Sequence, residues 1–179
     1  MRQRLAVVCL LIAGMFVCFH ALAGDEAPAG SAAAAFARIK ALEGEWTGTG
    51  GHRGEAGQPG KVIYKVTGAG SAVVETMFPG TPHEMVTVYH LDGDDLVLTH
   101  YCAAGNQPHM KAKLPASGDR LDFEFVSGTN IKPDGMHMHE ATMVFEGPDK
   151  LRAAWTSFQA GRPGPVAEFV LTRSKPNNP

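Results

Sequence analysis

Between Gly44 and Arg173 the apolar positions recur at every second residue, in short runs broken by glycine, proline and aspartate. Leu121, Phe123 and Phe125 alternate with Asp122 and Glu124. Met110, Ala112 and Leu114 alternate with Lys111 and Lys113, and Ala167, Phe169 and Leu171 stand against Glu168. A period of two is that of a strand with one face buried. The pattern predicts ten strands, at 45–50, 61–67, 72–78, 84–91, 96–102, 109–114, 120–126, 139–146, 150–158 and 166–173. Connections of a few residues between successive runs predict an antiparallel meander, and closing it into a barrel removes its exposed edges. The expected fold is therefore all-β, an antiparallel up-and-down barrel of about ten strands. Its apolar face is expected to point inward, because a soluble domain cannot display it, and this decides against an outer-membrane barrel, which needs an apolar outer band.

Ahead of the first strand the period changes. Phe36, Ile39 and Leu42 recur at three-residue spacing, with Ser31 as a good N-cap and Gly44 as a stop, so a short helix through about Leu42 precedes the barrel. Residues 24–30 are small and contain proline, and read as a flexible leader. Further back, Arg2 and Arg4 precede an uncharged, mostly apolar run from Leu5 to Phe19, and His20-Ala21-Leu22-Ala23 supplies a small–x–small cleavage pattern. This predicts a secretory signal over 1–23, cut before Gly24, and a periplasmic or secreted destination. The run of about 15 residues is short of the roughly 20 that span a bilayer, so no membrane anchor is expected after cleavage. A single domain then covers 31–175, with 176–179 as a disordered tail.

Cleavage alters the composition that matters. Cys9 and Cys18 leave with the signal, and Cys102 alone cannot form an internal disulfide. Lys+Arg falls from 16 to 14 against 18 Asp+Glu, a net charge near −4 with no basic run. Nucleic acid is therefore not an expected partner.

Gly44-Glu45-Trp46 on the first strand, just after a short helix, resembles the Gly-x-Trp signature of lipocalin-like (calycin) barrels. Arg173 sits where those proteins stack an arginine over that tryptophan, an attraction of about 0.5–2 kcal/mol. The longer Gly44-Glu45-Trp46-Thr47-Gly48-Thr49-Gly50 is similar to the start of nitrobindin-type ten-stranded barrels and related bacterial secreted proteins. The resemblance implies that Trp46 and Arg173 close one end and that the barrel holds one small ligand. Nitrobindin-like barrels bind heme through a histidine close to the C-terminus. Here the final histidine is His139, and the last two strands carry Trp155, Ser157 and Phe169 instead, which argues against heme by that route.

The stretch from His100 to His109 joins two strands through a glycine turn and is rich in polar side chains. Tyr101, Asn106, Gln107 and His109 are thus candidates to meet the polar end of a ligand at the barrel mouth. Phe123, Phe125, Met143, Phe145, Trp155 and Phe169 are candidates for the lining. The turn at Gly93-Asp94 predicts a register with Leu91 opposite Leu96, Tyr89 opposite Leu98 and Thr87 opposite His100, which puts His90 and His100 on different faces. His137 and His139 share a face by their spacing and form half of a zinc or copper site, with no third ligand evident. The cofactor is left open, and no catalytic motif is present. The expected function is an exported barrel that binds a small hydrophobic molecule. The alternatives are a metal- or histidine-dependent enzyme, and an envelope interaction protein with a packed core.

Overall fold

The computed structural model describes residues 27–52, 57–116 and 118–175. The expected signal segment, residues 24–26 of the leader and the expected tail lie outside them. Ten strands form a closed antiparallel barrel in which each is bonded to its sequence neighbour and the last to the first. In chain order they are β1 (Gly44–His52), β2 (Gln58–Thr67), β3 (Ala72–Met77), β4 (Met85–Asp92), β5 (Asp95–Tyr101), β6 (Gln107–Ala112), β7 (Arg120–Thr129), β8 (His137–Phe145), β9 (Lys150–Gln159) and β10 (Arg162–Arg173). All ten strands expected from the alternation are present, with ends displaced by a few residues, most at β10. The two-residue loop is as expected: Asp92 pairs with Asp95, and Leu91–Leu96, Tyr89–Leu98 and Thr87–His100 follow.

One helix, α1 (Ala32–Lys40), lies across one end of the barrel. Ser31 caps it by accepting a 3.2 Å hydrogen bond from the Ala34 amide. Ala35, Phe36 and Ile39 form its buried stripe and join the barrel core. Beneath it Trp46 is fully buried and donates its indole N–H to the Leu42 carbonyl at 2.7 Å. The Arg173 guanidinium lies 4.4 Å above the Trp46 ring. It also donates to the carbonyls of Ala41, Glu43 and Pro148 and pairs with Asp149. The last carbonyls of a helix have no partner within it, and this cation meets that of the C-cap Ala41 together with those of Glu43 and Pro148 beyond the helix. The end is thus closed by the first strand, the last strand and the helix together.

At the opposite end, the mouth, the wall is made differently. Gly50 and Gly60 leave room on β1 and β2, and two rings use it. A Cβ on Gly50 would stand 2.6 Å from the Phe169 ring, and one on Gly60 would stand 3.3 Å from Phe78. The two phenyl rings touch each other, with centroids 5.8 Å apart. The wall also parts along one seam. The β7–β8 ladder ends at Glu124–Glu140, although β7 runs on to Thr129 beside β6 and β8 begins at His137 beside β9. A β-bulge lies in each strand near that point, and bulges of this kind re-aim side chains.

Candidate functional site

A row of polar side chains crosses the inside of the barrel. Tyr64 pairs with Glu75, Glu75 with Thr87, and Thr87 with His100, so four neighbouring strands each place one polar group on the same belt. All four are buried. Tyr64 Oη donates to Glu75 Oε1 at 2.8 Å, and Tyr89, also buried, donates to Oε2 at 2.7 Å. Thr87 Oγ1 lies 2.9 Å from His100 Nδ1. The His100 ring faces Trp155, with centroids 4.6 Å apart.

Burial raises the Glu75 pKa, while hydrogen bonds from Tyr89, Tyr64 and Thr87 oppose the rise. Both phenols are pushed well above their ordinary value, first by burial and then by the adjacent carboxyl. Burial lowers the His100 pKa to about 4, so its ring is neutral at physiological pH. A charged imidazole would be poorly solvated there, and the belt offers it a threonine rather than a counter-ion.

Toward the mouth, Asn106 follows Met110 and Pro108 in the buried series of β6 and its loop. Its side chain donates to the Met136 carbonyl at 2.7 Å, closing the seam between the β5–β6 and β7–β8 connections. Its Oδ1 is sealed from solvent and has no hydrogen-bond partner. Among the described residues the only other such atom is an Arg38 nitrogen at the closed end. A buried acceptor left unmet costs roughly 1–3 kcal/mol, which marks Asn106 as a position that stability does not explain.

The other sequence candidates fall into three places. Phe123 and Trp155 belong to the core, as do Met143 and Phe169, with Phe145 packed against it. Tyr101 is exposed, Gln107 accepts from Thr129 and Asn130 on the loop surface, and His109 pairs with Thr99. Phe125 stands apart from the core and stacks on His139, with its centroid also 4.8 Å from His137. These rings and Phe158, 4.0 Å from His139, form a cluster at the parted seam. His137 Nε2 and His139 Nδ1 are 3.0 Å apart and bond to each other. Burial, and then the neighbouring His137, lowers the His139 pKa. Among the described residues no three His, Cys, Asp or Glu side chains converge as a metal cluster would require.

Surface clefts lie away from this belt. One of about 610 Å³ runs between residues 28–33 and the β4–β5 turn at the closed end. Another, about 380 Å³, lies beside Phe78 at the mouth, against Gly48 and Gly60. The first is larger, but its lining is mostly small and apolar, with none of the belt's polar groups. The second adjoins the glycine-floored part of the wall.

Glu75 and its two tyrosines were not anticipated from the sequence. The signal was weak: Val73, Glu75 and Met77 share a phase, and the alternate set Ala72, Val74 and Thr76 is almost as apolar.

Together these features define a lipocalin-like barrel, closed by a Trp–Arg stack and carrying a polar belt within an apolar interior. The chain is similar in structure to Rv2717c from M. tuberculosis, at 18% identity and a TM-score of 0.54, covering 84% of this chain and all of that one. It is also similar to a protein of unknown function of the DUF3598 family from Nostoc punctiforme, at 12% identity and a TM-score of 0.49. That alignment covers 76% of this chain, which spans about half (49%) of the Nostoc protein. No family model matches the sequence, and no curated protein matches it. At these identities the likeness extends to the fold.

Proposed function

We propose that this protein is an exported barrel of the nitrobindin type that binds one small, largely apolar molecule in the mouth half of its interior. The single observation that carries the reading is the buried belt ending at His100 beside Trp155. A barrel that needed only to be stable is served well by an apolar interior, since burying ionisable groups lowers stability unless each is matched. This barrel instead places a carboxyl, two phenols, a hydroxyl and an imidazole inside, arranged in register. Pockets that hold small molecules have this composition, an apolar lining with a few convergent polar groups. Export rests on the N-terminal pattern of Arg2, Arg4, the apolar run and Ala21–Ala23.

The test combines two measurements on protein purified without a tag from its native host. Solvent extraction followed by mass spectrometry should release one compound in near-stoichiometric amount. The stripped protein should then bind an apolar fluorophore that the extract displaces. A stripped protein that binds no fluorophore, from a preparation that releases no compound, overturns the reading.

A further inference from the structure

At the parted seam two histidine rings meet, His137 and His139 of β8. Elsewhere the bonded rings find threonines, His100 with Thr87 and His109 with Thr99. Both seam rings pack on Phe125, and His137 Nε2 lies 3.0 Å from His139 Nδ1. The other nitrogen of His137, Nδ1, lies 3.4 Å from the Gly135 carbonyl. A carbonyl can only accept, so Nδ1 carries the proton and Nε2 a lone pair. Metal-ligating histidines are held in this way, with the second ring nitrogen donating to a carbonyl or carboxylate.

His139 is held by stacking instead. Phe125 from β7 and Phe158 from β9 lie nearly parallel to its ring, at 4.9 and 4.0 Å. Stacked faces fix the plane of an imidazole and leave its edge nitrogens free to bind. Both histidines are only half-buried and stand just past the last rung of the β7–β8 ladder, Glu124–Glu140. An ion bound to two imidazole nitrogens at about 2.0–2.1 Å holds them about 2.9 Å apart at a right angle and about 3.3 Å apart at the tetrahedral angle. The observed 3.0 Å falls between these, so a small turn of the rings converts the hydrogen bond into a chelate.

We propose that His137 Nε2 and His139 Nδ1 chelate one late first-row divalent ion, copper(II) above all, with water completing its coordination. Two imidazoles suit copper, zinc or nickel, whereas calcium and magnesium call for oxygen ligands. Copper(II) heads the series in affinity, and its tetragonal geometry accepts two adjacent nitrogens. Glu124 and Glu140 bring negative charge beside the site, with Glu124 also paired to Lys113. Among the described residues neither carboxylate closes on the rings as a third ligand. The site is therefore open, and holds its ion less tightly than a closed cage of four protein ligands. It uses none of the groups of the inner belt.

Copper(II) titrated at pH 7 into untagged wild-type protein, in a glycine buffer that competes for weak surface sites, should give one bound ion per chain. Electron paramagnetic resonance of that complex should show coupling to two imidazole nitrogens, a result that needs no variant to fold. His137→Asn and His139→Asn should each weaken binding on the order of hundredfold, since a chelate becomes a single ligand. His83→Asn, on the exposed β3–β4 connection, should leave affinity unchanged. Thermal melts establish that each variant is folded. The proposal is overturned by a wild type that takes up no stoichiometric copper, or by a spectrum with fewer than two imidazole nitrogens. Unchanged affinity in folded His139→Asn overturns it equally. Fluorophore binding by the stripped protein is read separately, so this site and the apolar ligand can each fail without the other.

Discussion

The two ends of the barrel treat their polar groups differently. At the closed end the Trp46 indole and the Arg173 guanidinium each find partners, Arg173 alone serves the carbonyls of Ala41, Glu43 and Pro148, and one nitrogen of Arg38, whose charge lies over the Phe145 ring, is sealed without one. At the mouth Asn106 is left with a sealed, unmet oxygen, and the buried His100 ring has a threonine rather than a counter-ion beside it. The first arrangement is what stability requires. The second costs stability, and under the proposed function it is where a ligand would be met. The contrast therefore separates residues that hold the barrel together from residues available to a ligand.

The comparison breaks most visibly at Trp46. Its ring is fully buried beneath α1, against Tyr64 at 6.4 Å and Arg173 at 4.4 Å. Trp46→Ala is expected to cost 3–5 kcal/mol, roughly the usual range for deleting a large buried aromatic. Urea denaturation followed by circular dichroism measures it. A loss below about 1 kcal/mol would mean that this end does not carry the fold.

The belt provides the next effect, read through pH. His100 has its folded pKa lowered from 6.5 to about 4. The unfolded chain therefore binds a proton across that window while the folded chain does not. Stability from this group is fully present above 6.5 and is lost as pH falls toward 4, by about 3 kcal/mol from a shift of this size. Glu75 acts in the other sense. Its folded pKa is raised, so its contribution is present below the ordinary carboxyl value and is lost as pH rises. Unfolding measured from pH 7 to 4 should therefore be steeper in Glu75→Gln than in the wild type, and flatter in His100→Asn. An unchanged slope in His100→Asn would remove His100 as the buried base.

Arg173→Lys sharpens the closed end without removing its charge. A lysine keeps one cation but loses the fork that reaches three carbonyls and the flat face over the indole. A loss of roughly 2 kcal/mol is expected, in line with hydrogen bonds to charged groups. It should be smaller in a Trp46→Ala background, because the two residues touch and their effects are not additive.

The sequence made one end of this molecule far more legible than the other. Strand alternation, the Ser31 cap, Gly-x-Trp and Arg173 are local or terminal signals, and they anticipate the barrel and the geometry of its closed end. The hairpin at Gly93-Asp94 even sets Thr87 opposite His100, half of the polar belt. The other half was hidden, because a glutamate in a strand is read as facing water. Only the register across β2, β3 and β4 brings Glu75 between Tyr64, Tyr89 and Thr87. Phe125 escaped for a related reason. Its alternation with Phe123 puts it inside, but the bulges near Val126 and His139 part the β7–β8 ladder and bring its ring to the two histidines. Alternation read from sequence assumes an unbroken ladder, and each bulge resets it.

The smallest effect is the most discriminating. Asn106 is as buried as its core neighbours, so its replacement by leucine would ordinarily be counted as damage. The side chain makes one hydrogen bond, to the Met136 carbonyl, and carries one unmet oxygen. Removing the amide forfeits a bond of about 1 kcal/mol and leaves Met136 without it, but also removes an acceptor whose burial costs a comparable amount. The two nearly cancel. Asn106→Leu should therefore change stability by less than about 1 kcal/mol in urea, while Trp46→Ala at the other end changes it several-fold more. A large loss in Asn106→Leu would place it with the residues that hold the barrel together and erase the distinction between its ends. A near-zero change would show that the fold does not depend on this asparagine, and that what does is to be sought in whatever donates to its oxygen.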